Sequence, residues 1–479
     1  MSRLVIFSNR VPAPGPPSGG LVVALKSTMD AQGGLWIGTV TDTAPEKGED
    51  ALISQPGETF QRLTMPLTSD EHEGFYLGYA NSVLWPLLHG RIDLMEVSEG
   101  HRAVYEAVND RLARLSLPHI QPGDTLWVHD YHLIPLASAL RRLGVTNPIG
   151  FFLHTPFPDA SSVQALSNSE ALLHWFAAYD LVGLQTQADV SRFLGTYRGA
   201  GAAQLISGNR IRWRNDVIRV GSFPIGIDAV GFREMAEDSL RTQVPHLLPH
   251  RLMIGVDRLD YTKGIPNRLR GLQAYLRTNP ADEDRISFVQ IAPPTREDVG
   301  AYMDVRRELE QLSGELNGEF SDIGYVPVQY IHRAIARSSI SGLLRRADIA
   351  LVTPLQDGMN LVAKEFVAAQ DPEKPGVLIL SKFAGAAEQL REGAVLINPH
   401  DPAAVAAGIK QAVRMVPEER KRRHTVMWDI ITRTDGDWWT NTYLRALKAS
   451  AQERMESQTI LAPPAPPSLH PGARDVAVN

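Results

Sequence analysis

Charged residues and glycines gather just past the ends of short apolar runs in this chain, and their types suit phosphates and sugar hydroxyls. Ile349 to Thr353 is followed by Asp357-Gly358-Met359-Asn360-Leu361-Val362-Ala363-Lys364-Glu365, which opens a segment, Leu361 to Gln370, with apolar residues at helical spacing. The first amides of such a helix have no internal partner and carry the positive end of its dipole, so a phosphate is a natural ligand. Asp357 offers a carboxylate to a sugar hydroxyl, Gly358 lets a ligand approach the backbone, and Glu365, one turn in, is placed to accept ribose hydroxyls. The competing reading is an ordinary strand-to-helix turn capped by Asp or Asn. Arg258 and Lys263 follow the run Met253 to Val256; as two cations on one strand-end loop they suit a diphosphate leaving group, against the plainer reading of surface cations. Arg296, after Ile286 to Ile291, either pairs locally with Glu297 or Asp298 or holds a second phosphate bidentately.

Other strand-end residues are equally polar. Ser8-Asn9-Arg10 follows Leu4 to Phe7 and leads to Gly19-Gly20, which is either a flexible turn or a close approach to a diphosphate. His129-Asp130-Tyr131-His132 follows Leu126 to Val128. Two histidines three apart with no supporting cluster are weak evidence for zinc, and Asp130 reads better as a hydroxyl partner or base for an incoming sugar alcohol. His154, bracketed by phenylalanines, is a core histidine or a donor-sugar contact; Tyr76 and Trp85 are core aromatics or sugar-stacking faces. Neither a P-loop nor a Gly-x-Ser-x-Gly elbow is present. What remains is a cleft with two phosphate-binding centres.

The elements that must position these residues are legible from the same runs. Leu4 to Phe7, Leu126 to Val128, Ile149 to Leu153, Leu181 to Leu184, Met253 to Val256, Ile286 to Ile291, Ile349 to Val352, Val377 to Leu380 and Val395 to Ile397 alternate with amphipathic segments. That pattern predicts an α/β fold of parallel sheets covered on both faces, in two doubly wound halves. Turn chemistry at Phe223 to Asp228 sets the boundaries at 1–230 and 231–430. Trp428, Trp438, Trp439, Tyr443 and Leu444 mark a C-terminal helix over 431–451 that packs across both halves or is an ordinary core helix. A disordered Pro-rich tail is expected over 452–479, and Arg420-Lys421-Arg422-Arg423 reads as a solvated helix face. With 479 residues, a net charge of −6 and no cysteine, the chain is expected to be a soluble cytoplasmic protein that binds neither nucleic acid nor membrane.

The set Ser8-Asn9-Arg10, Gly19-Gly20-Leu21, Asn81 to Pro86, His129 to Leu133, Gly150 to Pro158, Asp257 to Gly264 and Asp357 to Glu365 closely resembles the trehalose-6-phosphate synthase family, in the expected order over about residues 1–450. The resemblance implies a GT-B fold, two Rossmann-like domains facing a cleft. It implies glucose transfer with retention from a nucleotide sugar, usually UDP-glucose, to glucose-6-phosphate, giving α,α-trehalose 6-phosphate. By motif, Gly19, Gly20, Arg258, Lys263, Asp357, Asn360, Leu361, Val362 and Glu365 bind the donor. Arg10, Tyr76, Trp85, Asp130 and Arg296 frame the acceptor, and Asp130, His154, Arg258, Lys263 and Asp357 carry catalysis. No metal or other cofactor is implied; a donor phosphate oxygen takes the acceptor proton, and no carboxylate acts as nucleophile. Gln356 departs from the family, where many relatives have Arg, and leaves donor base preference open. Alternatives are another acceptor such as glycerol 3-phosphate, an ADP- or GDP-linked donor, or a silent sugar-phosphate sensor, which the presence of Arg258, Lys263, Asp357 and Glu365 disfavours. Domain closure on ligands is expected, and a homo-oligomer stays open.

Overall fold

The structure is a computed structural model that describes residues 2–12, 20–41, 51–55, 59–201, 203–206, 208–214, 216–242, 251–279, 285–295 and 300–461. Gly19, Arg296 and the Pro-rich segment after residue 461 lie outside them. The apolar runs become strands buried on both faces, as continuous Val/Ile/Leu segments require. The first sheet contains β1 (Leu4–Arg10), β2 (Leu35–Val40), β3 (Ile53–Gln55), β4 (Gln61–Pro66), β5 (Thr125–His129), β6 (Ile149–Phe152), β7 (Leu181–Leu184), β8 (Ala203–Ile206), β9 (Arg210–Trp213) and β10 (Asp216–Ser222). Their order is β3-β4-β2-β1-β5-β6-β7-β10-β9-β8, parallel from β4 to β10 and antiparallel at both edges. The second sheet is wholly parallel, β13-β12-β11-β14-β15-β16, from β11 (Arg251–Val256), β12 (Ile286–Ile291), β13 (Val328–Ile331), β14 (Ile349–Val352), β15 (Val377–Ser381) and β16 (Val395–Ile397).

Among its parallel strands each sheet reverses its direction of growth once, between β1 and β5 in the first and between β11 and β14 in the second. A crevice opens at such a switch point beyond the carboxyl ends of the strands, because the flanking helices leave on opposite faces. Arg10 and Asp130 stand at the first switch point; Arg258 and Asp357 stand at the second.

Beside the first crevice, Ser69–Leu88 is helical, and His72–Leu84 is wound as a π-helix, a geometry that recurs at functional sites. Thr68 and Glu71 start it with a reciprocal capping box. Glycines let it lie close on the helix Glu99–Ser116: a Cβ on Gly74 would meet Val104 at 2.7 Å, and one on Gly78 would meet the His101 ring at 2.4 Å.

The chain crosses between the halves at residues 223–228 and returns at 434–436. The two crossings touch at Gly226, where a Cβ would stand 2.1 Å from the Thr434 carbonyl oxygen. After the return, the helix Gly436–Leu461 lays its aromatic face on the first sheet. Tyr443 stacks on Trp127 at 4.5 Å, and its hydroxyl donates to the Phe151 carbonyl at 3.0 Å. Gly150 and Gly183 make room, since a Cβ at either would lie within 2.6 Å of the Tyr443 ring or its hydroxyl. One apolar cluster therefore runs from Leu4 and Trp36 through Trp439 and Tyr443 to Leu252, Val352 and Phe366 in the second half.

Two expectations need correction. The last helix continues ten residues past 451, to Leu461. Arg454, 9% exposed, anchors that extension by donating to Asp216 Oδ1 at 2.6 Å and to the Ala178 carbonyl at 3.1 Å. The basic run 420–423 is only half solvated: Arg420 donates to the Met415 and Ala412 carbonyls ending the preceding helix, and Arg423 to the Ala394 carbonyl. Among the described residues no helix is long and apolar enough to cross a membrane.

Lys364 is fully buried on the helix Leu361–Ala369, and its Nζ donates at 2.6 Å to the carbonyl of Ile225 in the first crossing. Burial lowers its pKa from 10.5 to about 7. Between those values the unfolded chain holds one more proton than the folded one, so stability at this site rises with pH from about 7 to about 10. Against Lys364→Met, which lacks the titration, the wild type should therefore gain unfolding free energy between pH 7 and pH 9. Urea denaturation at both pH values measures it; an unchanged difference would show that the ammonium is not desolvated.

Candidate active site

The second half of the site grows from one buried guanidinium. Arg268, fully buried on the helix Ile265–Thr278, donates to Asp257 Oδ2 at 2.8 Å, Gln290 Oε1 at 2.7 Å and Thr353 Oγ1 at 2.9 Å. Those acceptors sit at the carboxyl ends of β11, β12 and β14, so a single side chain holds three strand ends in register. Burial pushes the Asp257 carboxyl up, and Arg268 and Lys263 oppose that. Past β11 the chain turns sharply: Asp260 accepts the Thr262 amide at 2.9 Å, and Gly264 takes a left-handed φ of 60°. A Cβ on Gly264 would stand 2.4 Å from the Thr353 carbonyl, so only glycine fits. This turn delivers Lys263, 9% exposed, whose Nζ donates to Asp357 Oδ2 at 2.5 Å. Arg258 stays exposed, with its guanidinium 5.8 Å from the Trp85 ring across the cleft.

Asn360 organises the turn after β14. At φ 78° it lies in the left-handed region that Asn tolerates best after glycine. Its Nδ2 donates to Asp357 Oδ2 at 3.1 Å, and its Oδ1 accepts the Ala363 amide at 3.1 Å, capping the helix Leu361–Ala369. The amides of Leu361 and Val362, just ahead, are ones a helix cannot satisfy for itself. Burial alone would raise the Asp357 carboxyl; the Lys263 ammonium, with help from Asn360, outweighs it and holds the carboxyl below its ordinary value. Glu365 is raised by burial even though Arg337 Nη2 donates to its Oε1 at 3.0 Å. Gly358 meets the first half directly: a Cβ there would lie 2.0 Å from the His154 carbonyl oxygen.

The first half contributes side chains from its own switch point. The Arg10 guanidinium lies 5.7 Å from the Tyr76 ring, which stacks on His132 at 5.7 Å and His72 at 5.2 Å. Asp130 takes a φ of 70°, and its Oδ1 accepts the His154 amide at 3.3 Å. Trp85, 5% exposed, packs on His89 at 4.2 Å. Burial lowers His89 to about 4, against the pull of Asp260, so it is neutral beside the Lys263–Asp357 pair. His154 is likewise held down to about 3 by burial. His129 and His132 diverge, the first toward His154 and the second onto Tyr76, and among the described residues no group of three His, Asp or Glu side chains is placed to hold a metal.

The structure thus brings Lys263, Asp357 and Asn360 into one hydrogen-bonded set, places Gly358 on His154, and faces Arg258 with Trp85 and Arg10 with Tyr76. Gly20 begins the helix Gly20–Gln32, the first after β1, and Gly19 and Arg296 fall outside the described residues. Trp85 presents little surface of its own, and Glu365 has Arg337 as a partner that the sequence reading did not name. Gln356 Oε1 would stand 3.2 Å from a Cβ on Gly90, so the residue that departs from the family pattern touches the opposite half. His129 was legible only as half of a weak metal pair with His132, whereas Arg268 and Arg337 left no local signal because their partners lie on other elements.

Two doubly wound domains that turn their switch points toward each other, one bearing cations and an open helix N-terminus, define a glycosyltransferase of the GT-B fold. The chain belongs to glycosyltransferase family 20, whose model matches residues 13–449. A trehalose-6-phosphate synthase of Sinorhizobium fredii is 40% identical over 462 residues, covering 94% of this chain and 99% of that protein. A UDP-forming α,α-trehalose-phosphate synthase of Burkholderia xenovorans in complex with glucose-6-phosphate superposes with a TM-score of 0.88 at 37% identity, covering 93% of this chain and 100% of the other. An E. coli structure bound with UDP-2-fluoro glucose gives a TM-score of 0.87 at 38% identity over 93% of this chain and 99% of that one.

Removing the guanidinium that holds the strand ends should be costly. Arg268→Met leaves Asp257 buried and unpaired, and unfolding free energy in urea should fall by about 3–5 kcal/mol; a loss under about 1 kcal/mol would show that the three bonds are not cooperating.

Proposed function

We propose that this protein transfers glucose, with retained configuration, from UDP-glucose to glucose-6-phosphate, making α,α-trehalose 6-phosphate. The observation that carries the reading is the set Lys263, Asp357, Asn360 and the Leu361–Val362 amides, built at one switch point and facing His154 across the cleft. Similarity over nearly the whole length to synthases bound to these two kinds of ligand supports it.

In this reading the donor diphosphate displaces the Asp357 carboxylate from Lys263 and sits between Arg258, Lys263 and the two open amides, with Gly19 and Gly20 approaching from the first domain. The freed Asp357 carboxylate then accepts glucose hydroxyls opposite His154, and Glu365, oriented by Arg337, accepts from the ribose. Arg10, Tyr76, Trp85, Asp130 and Arg296 frame glucose-6-phosphate. Departure of the diphosphate is the step that develops charge, and the fixed cations and the helix dipole stabilise it there without a metal. A phosphate oxygen of the leaving group takes the acceptor proton, so the acceptor enters on the face the donor leaves. Asp357 makes a poor nucleophile because its lone pairs are then engaged by the Asn360 amide and the glucose hydroxyls. A cysteine-free chain suits a reducing compartment, and we place the reaction in the cytoplasm.

The test is product formation by the purified chain from UDP-, ADP- or GDP-glucose with glucose-6-phosphate or glycerol 3-phosphate, with and without chelator. Trehalose 6-phosphate, made only with glucose-6-phosphate and insensitive to chelator, is the expected product. Tight UDP binding with no turnover in any pair would favour a sensor instead. Arg258→Ala or Lys263→Ala should lower kcat about a hundredfold or more with unfolding temperature little changed for exposed Arg258; near-normal turnover in either would remove the diphosphate assignment.

A further inference from the structure

His129 ends β5 and His154 follows β6, and the paired register His129↔Phe152 brings their rings together on neighbouring strand ends. His129 Nδ1 lies 3.1 Å from His154 Nε2. Around His129 stand Trp127 at 4.5 Å, Trp439 at 6.3 Å and Phe152 at 6.4 Å between ring centroids, an apolar wall completed by the C-terminal helix. Burial keeps both imidazoles neutral.

Two neutral imidazoles that share one hydrogen bond must divide it into one donor and one acceptor. If His154 donated from Nε2, His129 would have to carry its own proton on Nε2. That nitrogen is buried and has no partner among the described residues, so the cost would be an orphaned N–H, which a folded protein seldom tolerates. If His129 donates from Nδ1, its Nε2 is only a lone pair.

We infer that His129 is a positioning residue: its Nδ1–H donates to His154 Nε2 and fixes His154 as the Nδ1–H tautomer, presenting a hydrogen-bond donor to the cleft. Among the described residues His154 Nδ1 meets no hydrogen-bond partner, its residue is only partly buried, and the His154 backbone lies against Gly358. A donor there must meet an oxygen lone pair of the bound sugar, which leaves that hydroxyl's own proton for an acceptor such as Asp357. The consequence for catalysis rests on the function proposed above; the tautomer does not.

The experiment separates the two. In the full chain labelled with ¹⁵N-histidine and free of ligand, His154 should show a pyrrole-type Nδ1 and a pyridine-type Nε2 at neutral pH, assigned with His154→Phe and His129→Phe; a proton found on His154 Nε2 overturns the proposal whatever the activity. In kinetics, His129→Phe keeps the ring but removes the donor, and kcat/KM for UDP-glucose should fall about tenfold with KM for glucose-6-phosphate unchanged. His129→Asn, whose amide N–H takes the place of Nδ1–H, should recover most of the loss. Equal losses in the two variants, or a fall in unfolding temperature with kinetics unchanged, would assign His129 to packing alone. An inactive wild type would count against the proposed reaction while the nitrogen spectrum still decides the tautomer.

Discussion

At the floor of the cleft the two domains touch main chain to main chain, and that contact fixes how closely they approach there. Gly358 leaves no room for a Cβ against the His154 carbonyl, and behind it Gly385 is pressed equally hard on the Gly358 carbonyl. The donor-site groups of the second domain lie within about two turns of this point or on the loop that packs beside it, where the Leu355 amide donates to the Thr262 carbonyl at 2.7 Å. Side chains in a cleft can adapt to a ligand, whereas two apposed main chains set a distance that few substitutions can alter.

Charge in the site is arranged by burial more than by number. Pairs such as Arg422–Glu419 and Arg306–Glu310 lie at the surface, where solvent and salt screen them, and contribute little. The Lys263–Asp357 and Arg268–Asp257 pairs are nearly or wholly closed to water, at 2.5 and 2.8 Å. Their desolvation offsets much of their attraction, so their contribution is to geometry: one aims a cation at the crevice, and the other keeps three strand ends level. Two neutral histidines, His89 and His154, complete this economy, because a charged imidazole beside Lys263 or in the aromatic wall would disturb both.

Much of this was legible from residue order. Strands buried on both faces betray themselves as unbroken apolar runs, and chemistry in such a fold falls where those runs end, so Arg258, Asp357, Asp130 and His154 stood out by position. The turn at 357–365 carried its own cap, Asn360, and its own close approach, Gly358. Other features left no local trace. Arg268 and Arg337 sit in helices whose partners lie on different strands or helices, and Arg454 finds Asp216 some 238 residues away, which is why the last helix outran its expected end. The close seat of His72–Leu84 on another helix rests on Gly74 and Gly78, a tertiary fact that periodicity does not encode. His129 looked like half of a weak metal pair with His132, although strand pairing gives it to His154.

The meeting of the two domain crossings at Gly226 has a mechanical meaning. Two connections set well apart would confine relative motion to one axis through both; two that coincide act as a ball joint, which permits tilting but no sliding. Displacement then grows with lever arm. Lys364, bonded to Ile225 beside the pivot, sits where tilting moves atoms least, while atoms farther from Gly226 sweep a longer arc for the same small angle.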